Sequence, residues 1–163
     1  MDRPVVHTYR AAESGLYVNS YLVEGESGVV VVDTNLLVSD IEALRARLRA
    51  LKKPLLAIMV THAHPDHFNG VLGLVQDKEV PVYATAGVGR IIEEIAHAKR
   101  AQWSPVYGTE WPAETYYPNS LGVIPILGAR TAKQLADNLT CLDVNLPPEA
   151  LTRLDQASHI ARG

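Results

Sequence analysis

Three histidines and one aspartate lie close together in this chain: His62, His64, Asp66 and His67 directly follow the apolar run 55–60. Because side chains alternate along an extended segment, His62 and His64 leave the same face and can bind one ion together. Asp66 and His67 follow a proline-forced turn, and offer an oxygen and a nitrogen to a second ion or to bound water. A surface loop that is rich in histidine by chance seldom has this spacing, so the pattern predicts metal chemistry.

The segments before the motif predict the scaffold that presents it. Two β-rich runs, residues 17–23 and 28–32, are separated by a hairpin signal. A capping box at Ser39 then predicts the start of a helix with apolar residues at helical spacing, which ends before Pro54. Residues 55–60 form a buried strand that carries the histidine motif at its carboxyl end, where functional groups commonly lie in α/β folds.

Four further segments follow the motif before the character of the sequence changes. We predict a short helix at about 69–76, a strand at 80–84 and a helix at about 86–101. Residues 102–118 hold both tryptophans and read as an irregular aromatic loop. This loop could shape an apolar substrate pocket, and packing in the core is an equal interpretation.

The motif and its surroundings resemble the metallo-β-lactamase superfamily. Residues 61–67 match its His-x-His-x-Asp-His signature, and the resemblance covers about residues 16–117. The flanking segments that share it are residues 21–24, 28–34 and 68–70. The fold that this resemblance implies is α/β: half of an αββα sandwich, a mixed β-sheet with helices, followed by an appended strand–helix–helix tail.

The resemblance also implies a role for each residue of the motif. By position, His62 and His64 look like ligands of a first zinc ion, and Asp66 and His67 like ligands of a second. Asp33 resembles the acidic residue that supports the site from just outside it. We therefore expect one or two zinc ions as the cofactor, with other divalent metals as alternatives.

A complete domain of this family has two similar halves, and we expect residues 1–118 to be a truncated region that carries the first. The second half would supply a third histidine for the first metal, and a bridging aspartate and a last histidine for the second. A catalytic zinc normally keeps three protein ligands, so another residue must replace the ligands that the second half would supply. His159 is the best internal candidate, ahead of His7 and of His97, which we expect to face solvent.

The tail, residues 119–163, resembles a different family. From about 120 to 158 it is similar to the C-terminal end of an aldo-keto reductase, and we expect it to pack with the first region as one domain. In that family this stretch contacts the adenosine phosphate of NADPH, at positions that correspond to Gly128, Ala129, Arg130, Gln134 and Asn138. The family's catalytic residues have no counterparts here and a full barrel needs about 250 residues, so we do not expect NADPH binding.

Composition excludes several partners. The net charge of −3, without a basic cluster, argues against nucleic acid. No apolar run approaches membrane-spanning length and the N-terminus lacks a signal-peptide pattern, so no membrane association is expected. The single cysteine, Cys141, cannot form an internal disulfide, which fits a reducing cytoplasm. A half-sandwich would expose one apolar sheet face, so we expect a homodimer that pairs sheet to sheet about a two-fold axis.

These features together predict a metal-dependent hydrolase of ester-like or related activated carbonyl substrates, weak and broad in its activity on small molecules. Asp66 would orient the nucleophile and pass its proton to the leaving group, and Asp33 would hold the second nitrogen of a ligand histidine. The alternative is a non-catalytic chimeric protein that binds metal but lacks half of the usual ligand set. A third hypothesis is an NADPH-binding remnant of a reductase.

Overall fold

The computed structural model describes residues 3–76 and 79–117, together with residues 131 and 133. Five strands form one sheet in chain order: β1 (Val5–Arg10), β2 (Asn19–Glu24), β3 (Val29–Val32), β4 (Leu55–Met59) and β5 (Val82–Tyr83). The first three strands pair antiparallel, and β3, β4 and β5 pair parallel. This mixed sheet with helices confirms the α/β fold class.

Helices fill the connections between the parallel strands. Helix α1 (Val38–Ala50) joins β3 to β4, two short helices, α2 (Pro65–Phe68) and α3 (Val71–Val75), join β4 to β5, and α4 (Ala86–Tyr107) follows β5. Single 3-10 turns occur at Glu13–Gly15 and Gly108–Glu110. In the part of the chain that the structure describes, no helix combines the length and the hydropathy needed to cross a membrane.

One face of the sheet forms the core with the helices. The strand register places Leu22, Val31 and Ile58 side by side, and all three are wholly buried. The helices contribute a larger apolar set to the same cluster: Ile41, Leu44 and Leu48 from α1, Val71 and Leu74 from α3, and Ile92 and Ala96 from α4. The helical spacing predicted for α1 therefore describes its buried face.

The opposite face of the sheet is also apolar. The register aligns Tyr21, Val32, Met59 and Tyr83 in one row across four strands, and Val23, Val30 and Ala57 in the next. None of these seven side chains belongs to the cluster that the helices bury. Three of them are buried and four are half-buried.

The capping box predicted at Ser39 is wrong. Helix α1 begins at Val38, with Leu37 as its N-cap two residues before the predicted one, and has no side-chain cap. The reason lies far along the chain, because Leu36 and Leu37 are buried against Trp111. The carboxylate of Glu110 accepts the hydrogen bond of the Ser39 N–H at 3.0 Å, and thereby replaces the missing cap.

The prediction of an irregular loop at residues 102–118 is wrong for residues 102–107, which are helical. Helix α4 continues to Tyr107 and includes Pro105 in its last turns. Aromatic rings four residues apart lie on one side of this helix end, with ring centroids 6.1 Å apart both from Trp103 to Tyr107 and from Tyr107 to Trp111. Trp111 packs in the core while Trp103 stays more than one-third exposed, so the aromatic segment is in part core.

Strand β1 was not predicted, and the remaining boundaries differ by a few residues. The helix predicted at 69–76 is α3, preceded by the unpredicted helix α2, and the strand predicted at 80–84 is limited to Val82–Tyr83. The predicted tail elements, together with Cys141 and His159, lie outside the described residues.

Candidate metal centre

The carboxylate of Asp33 joins the loop after β3 to the loop after β4. Oδ1 accepts a hydrogen bond from the Thr61 N–H at 2.9 Å, and Oδ2 accepts one from Thr61 Oγ1 at 2.7 Å. The same Oδ2 lies 2.8 Å from Nδ1 of His67. Asp33 is 4% exposed and has a left-handed backbone with φ of 60°, a conformation that aspartate tolerates better than most residues. A buried carboxylate with three hydrogen bonds thus fixes the position of both loops.

His67 lies between two carboxylates. Its Nδ1 donates to Asp33, and its Nε2 lies 3.3 Å from Oδ2 of Asp66. Burial lowers the pKa of His67, but the hydrogen bonds to Asp33 and Asp66 outweigh burial and raise the pKa to about 9. Burial of Asp66 raises the pKa of its carboxyl, but the hydrogen bond and the charge of His67 hold that pKa below its ordinary value.

The other two histidines of the motif stand beside His67. The rings of His62 and His64 meet edge to face with centroids 4.8 Å apart, and the centroids of His62 and His67 are 3.8 Å apart. His62 and His64 are exposed, while the side chains of Asp66 and His67 are mostly buried. Burial, followed by the charge of His67, lowers the pKa of His62. The structure therefore brings the predicted residues together in one cluster.

The local sequence explains the turn between His64 and His67. Pro65 occupies the first position of α2, where its missing N–H costs no hydrogen bond, and His64 is the N-cap with an extended backbone. The N–H of His67 then donates to the carbonyl of His64 at 2.9 Å. The proline-forced turn is therefore the first turn of a short helix.

A second set of hydrogen bonds holds the main chain of this turn. The N–H and the Oγ1 of Thr34 donate to the carbonyl of His67 at 3.0 and 3.1 Å, and Thr34 Oγ1 accepts from the Gly70 N–H at 3.0 Å. Nδ2 of Asn69 donates to the carbonyl of Leu36 at 3.2 Å. A Cβ at Gly70 would overlap the carbonyl oxygen of Thr34, so close approach of the two loops requires glycine there.

Sequence reasoning missed Thr34 and Asn69 as residues that hold the motif in position. Their partners are main-chain carbonyls and one main-chain N–H, which leave no trace in residue types. The signal that was available is their placement, since Thr34 directly follows Asp33 and Asn69 lies two residues after His67.

The donor set fits a transition metal in its chemistry, with imidazole nitrogens and one carboxylate. Asp33 also fits, because a ligand histidine usually donates its other ring N–H to a carboxylate. As the side chains stand, however, no group of three or more His, Cys, Asp or Glu within residues 3–76 and 79–117 is arranged to hold an ion. The ring planes of His62 and His67 are tilted by 47°, with centroids 3.8 Å apart.

The other described histidines lie outside the cluster. Nε2 of His7 pairs with Oε2 of Glu24 at 2.8 Å, and Glu24 also pairs with Lys53. His97 is exposed on α4, as predicted. Neither residue shares a contact with the histidine motif.

Comparison with known proteins identifies the family that shares this arrangement. The model of the Metallo-beta-lactamase superfamily matches residues 14–129, a span that includes Asp33 and the whole histidine motif. This chain belongs to the metallo-β-lactamase superfamily. The match runs past residue 118, where we expected the family resemblance to end.

Two alkylsulfatases are similar to parts of this member of the metallo-β-lactamase superfamily. An (R)-specific secondary-alkylsulfatase from a Pseudomonas species is 32% identical over 101 residues, which cover 52% of this chain and 15% of the relative. A linear primary-alkylsulfatase from a Pseudomonas species is 30% identical over 112 residues, which cover 59% of this chain and 16% of the relative. The chain thus matches about one-sixth of the length of these relatives.

Solved structures support the same fold. The crystal structure of TTHA1623 in a di-iron-bound form is 28% identical with a TM-score of 0.54, and the match covers 73% of this chain and 54% of that one. A β-lactamase domain protein from Burkholderia ambifaria is 21% identical with a TM-score of 0.53, and covers 74% of this chain and 41% of that one.

Proposed function

We propose that His62, His64, Asp66 and His67 bind a divalent metal, and that this protein is a metal-dependent hydrolase of ester-like substrates. The proposal rests on one observation: His67 contacts the carboxylate of Asp33 through one ring nitrogen and that of Asp66 through the other. Nδ1 of His67 is held by Asp33 while Nε2 points towards Asp66, within the cluster that contains His62 and His64. An imidazole fixed in this way by its second nitrogen is a prepared ligand.

We expect one or two zinc ions, and iron is the alternative because TTHA1623 is known in a di-iron-bound form. When bound, such an ion supplies Lewis acidity and lowers the pKa of a bound water to about 7, which makes a nucleophile available at neutral pH. His62, His64, Asp66 and His67 would hold the metal. Asp66 would also orient the attacking water, accept its proton on a carboxylate oxygen and pass that proton to the leaving group.

The substrate class divides into two candidates. Carboxylic and related activated carbonyl esters follow from the family's chemistry, and sulfate esters are favoured by the two alkylsulfatase relatives. The described part of the chain gives no contact that selects between them. The two classes differ in the atom attacked, so a matched pair of nitrophenyl esters distinguishes them directly.

A non-catalytic protein that binds metal is the rival function. It rests on the interpretation of the sequence as a chimera that lacks half of the family's usual ligand set. The resemblance of residues 120–158 to aldo-keto reductases also stays a prediction, and the family match overlaps it through residue 129. We still expect that this protein does not bind NADPH.

We also propose that the protein forms a homodimer in a reducing cytoplasm. The dimer rests on the apolar row Tyr21, Val32, Met59 and Tyr83, of which three side chains are only half-buried. Sedimentation measures the oligomeric state, and Met59→Glu on this row should convert a dimer to a monomer. An unchanged sedimentation coefficient for a folded Met59→Glu protein would overturn this assembly.

The hydrolase proposal is tested by turnover of nitrophenyl acetate and nitrophenyl sulfate, with zinc, with iron and with a chelator. We expect turnover that the chelator abolishes and that added metal restores. The double variant His62→Ala, His64→Ala should lose both metal and turnover. Unchanged turnover in the double variant, or turnover that the chelator does not reduce, would refute the metal-dependent reaction. Bound metal without turnover of either ester would establish the non-catalytic rival.

A further inference from the structure

The hydroxyl of Thr61 lies between Asp33 and His62. Its Oγ1 is 2.7 Å from Oδ2 of Asp33 and 3.0 Å from Nδ1 of His62. The N–H of Thr61 donates to the other oxygen of the same carboxylate. Thr61 is thereby fixed at two points by one buried aspartate, and its side chain cannot turn without breaking a hydrogen bond to a charged group.

The Thr61 hydroxyl has a single proton, and the group that accepts it determines which ring nitrogen of His62 carries a hydrogen. An ionised carboxylate only accepts hydrogen bonds, so the single hydroxyl proton of Thr61 must point to Asp33. The remaining contact of Oγ1 is then as an acceptor, and Nδ1 of His62 must carry the hydrogen that it donates. In a neutral imidazole this leaves Nε2 without a proton and with its lone pair free.

We infer that Thr61 is a positioning residue that sets the ring tautomer of His62 and makes Nε2 its metal-binding atom. Asp33 therefore acts on two histidines, on His67 directly and on His62 through Thr61. The carboxylate of Asp33 would in this way orient the histidines at the two ends of the motif for metal binding. The metal-binding consequence rests on the proposed function, whereas the tautomer itself does not.

The first test observes the metal-free protein with ¹⁵N-labelled histidine by nuclear magnetic resonance at neutral pH. We expect His62 as the Nδ1–H tautomer in the wild type and in Thr61→Ser, which keeps the hydroxyl. In Thr61→Val, His62 should change to a mixture of tautomers. Thr85→Val is the matched control, because Thr85 also uses its hydroxyl in one hydrogen bond, to the Val88 N–H at 3.2 Å, and no described hydrogen bond joins it to a histidine.

The second test measures zinc affinity of the same four proteins. Loss of an outer hydrogen-bond partner typically weakens metal binding about 10- to 100-fold, so we expect that loss in Thr61→Val alone. An Nδ1–H tautomer that persists in Thr61→Val, or a zinc affinity in Thr61→Val equal to that in Thr85→Val, would overturn the inference. A wild type that binds no zinc would refute the proposed function, and the tautomer measurement would then decide the role of Thr61 by itself.

Discussion

Oδ2 of Asp33 lies 2.8 Å from Nδ1 of His67, and the next residue, Thr34, donates two hydrogen bonds to the carbonyl of His67. Adjacent residues at the end of β3 thus hold both the side chain and the main chain of one histidine. The rigid part of the cluster is therefore the pair of loops after β3 and β4. His62 and His64 are the more exposed members of the cluster.

Replacement of Asp33 by Asn should weaken zinc binding about 10- to 100-fold. The carboxylate accepts three hydrogen bonds from Thr61 and His67, and an amide has only one acceptor oxygen. A buried donor left without its partner also costs about 1–3 kcal/mol of stability. Zinc titration and urea unfolding measure the two effects.

The matched control for this variant is Asp40→Asn, because Asp40 is also a buried carboxylate and accepts a hydrogen bond from Tyr9 at 2.7 Å. It shares no described contact with the histidines, so we expect lower stability with unchanged zinc affinity. Equal zinc affinities in the two variants would contradict the role of Asp33.

Replacement of Gly70 by Ala should destabilise the protein by about 1–3 kcal/mol, the usual cost of overpacking. The new Cβ would overlap the carbonyl oxygen of Thr34 and lie 2.8 Å from Cγ1 of Ile41. Gly87→Ala is the control, since its nearest atom would be Thr85 Oγ1 at 3.9 Å and helical alanine is favoured by up to about 1 kcal/mol. Urea unfolding should therefore give opposite signs, and a Gly70→Ala protein as stable as the wild type would show that the loops can separate at no cost.

Stability should fall at alkaline pH because of Tyr9. Burial, followed by the hydrogen bond to Asp40, raises the pKa of Tyr9 to about 12, whereas an unfolded tyrosine has a pKa of about 10. Between these values the folded state keeps a proton that the unfolded state has lost. The stabilisation is thus complete below the lower pKa and disappears as pH rises through the higher one.

Urea midpoints measured across this alkaline range test the effect. Tyr9→Phe should show a shallower decline than the wild type. Tyr116 has a pKa raised to about 12 by burial and remains in both proteins, so a decline persists in the variant. Parallel curves for the two proteins would show that Tyr9 ionises equally in both states.

The periodicity of the sequence predicted four of the five strands, β2 to β5, and the buried face of α1, because these depend on near neighbours, but it did not predict β1. The start of α1 could not be predicted, since the burial of Leu36 and Leu37 depends on Trp111, more than seventy residues away. The end of α4 was missed for a related reason: its last turns were predicted as an irregular loop, but the ring contacts of Trp103 and Trp111 with Tyr107 accompany a helix that continues to Tyr107.

The candidate site could be predicted only where its residues have side chains that commonly bind metals. His62, His64, Asp66 and His67 are conspicuous in type and spacing, and the family resemblance pointed to Asp33. Thr61 and Thr34 act through a hydroxyl and through main-chain groups, and nothing in a lone threonine distinguishes such a role from a surface position. Only the distances between the two loops reveal them.

Zinc binding at equilibrium tests the central claim most directly, with the wild type compared to the double variant His62→Ala, His64→Ala. The control is His7→Ala, His97→Ala, which removes two histidines that lie outside the cluster. We predict one or two bound zinc ions in the wild type and in the control, and none held tightly by the double variant. The same zinc stoichiometry and affinity in all three proteins would contradict the assignment of the metal site to this motif.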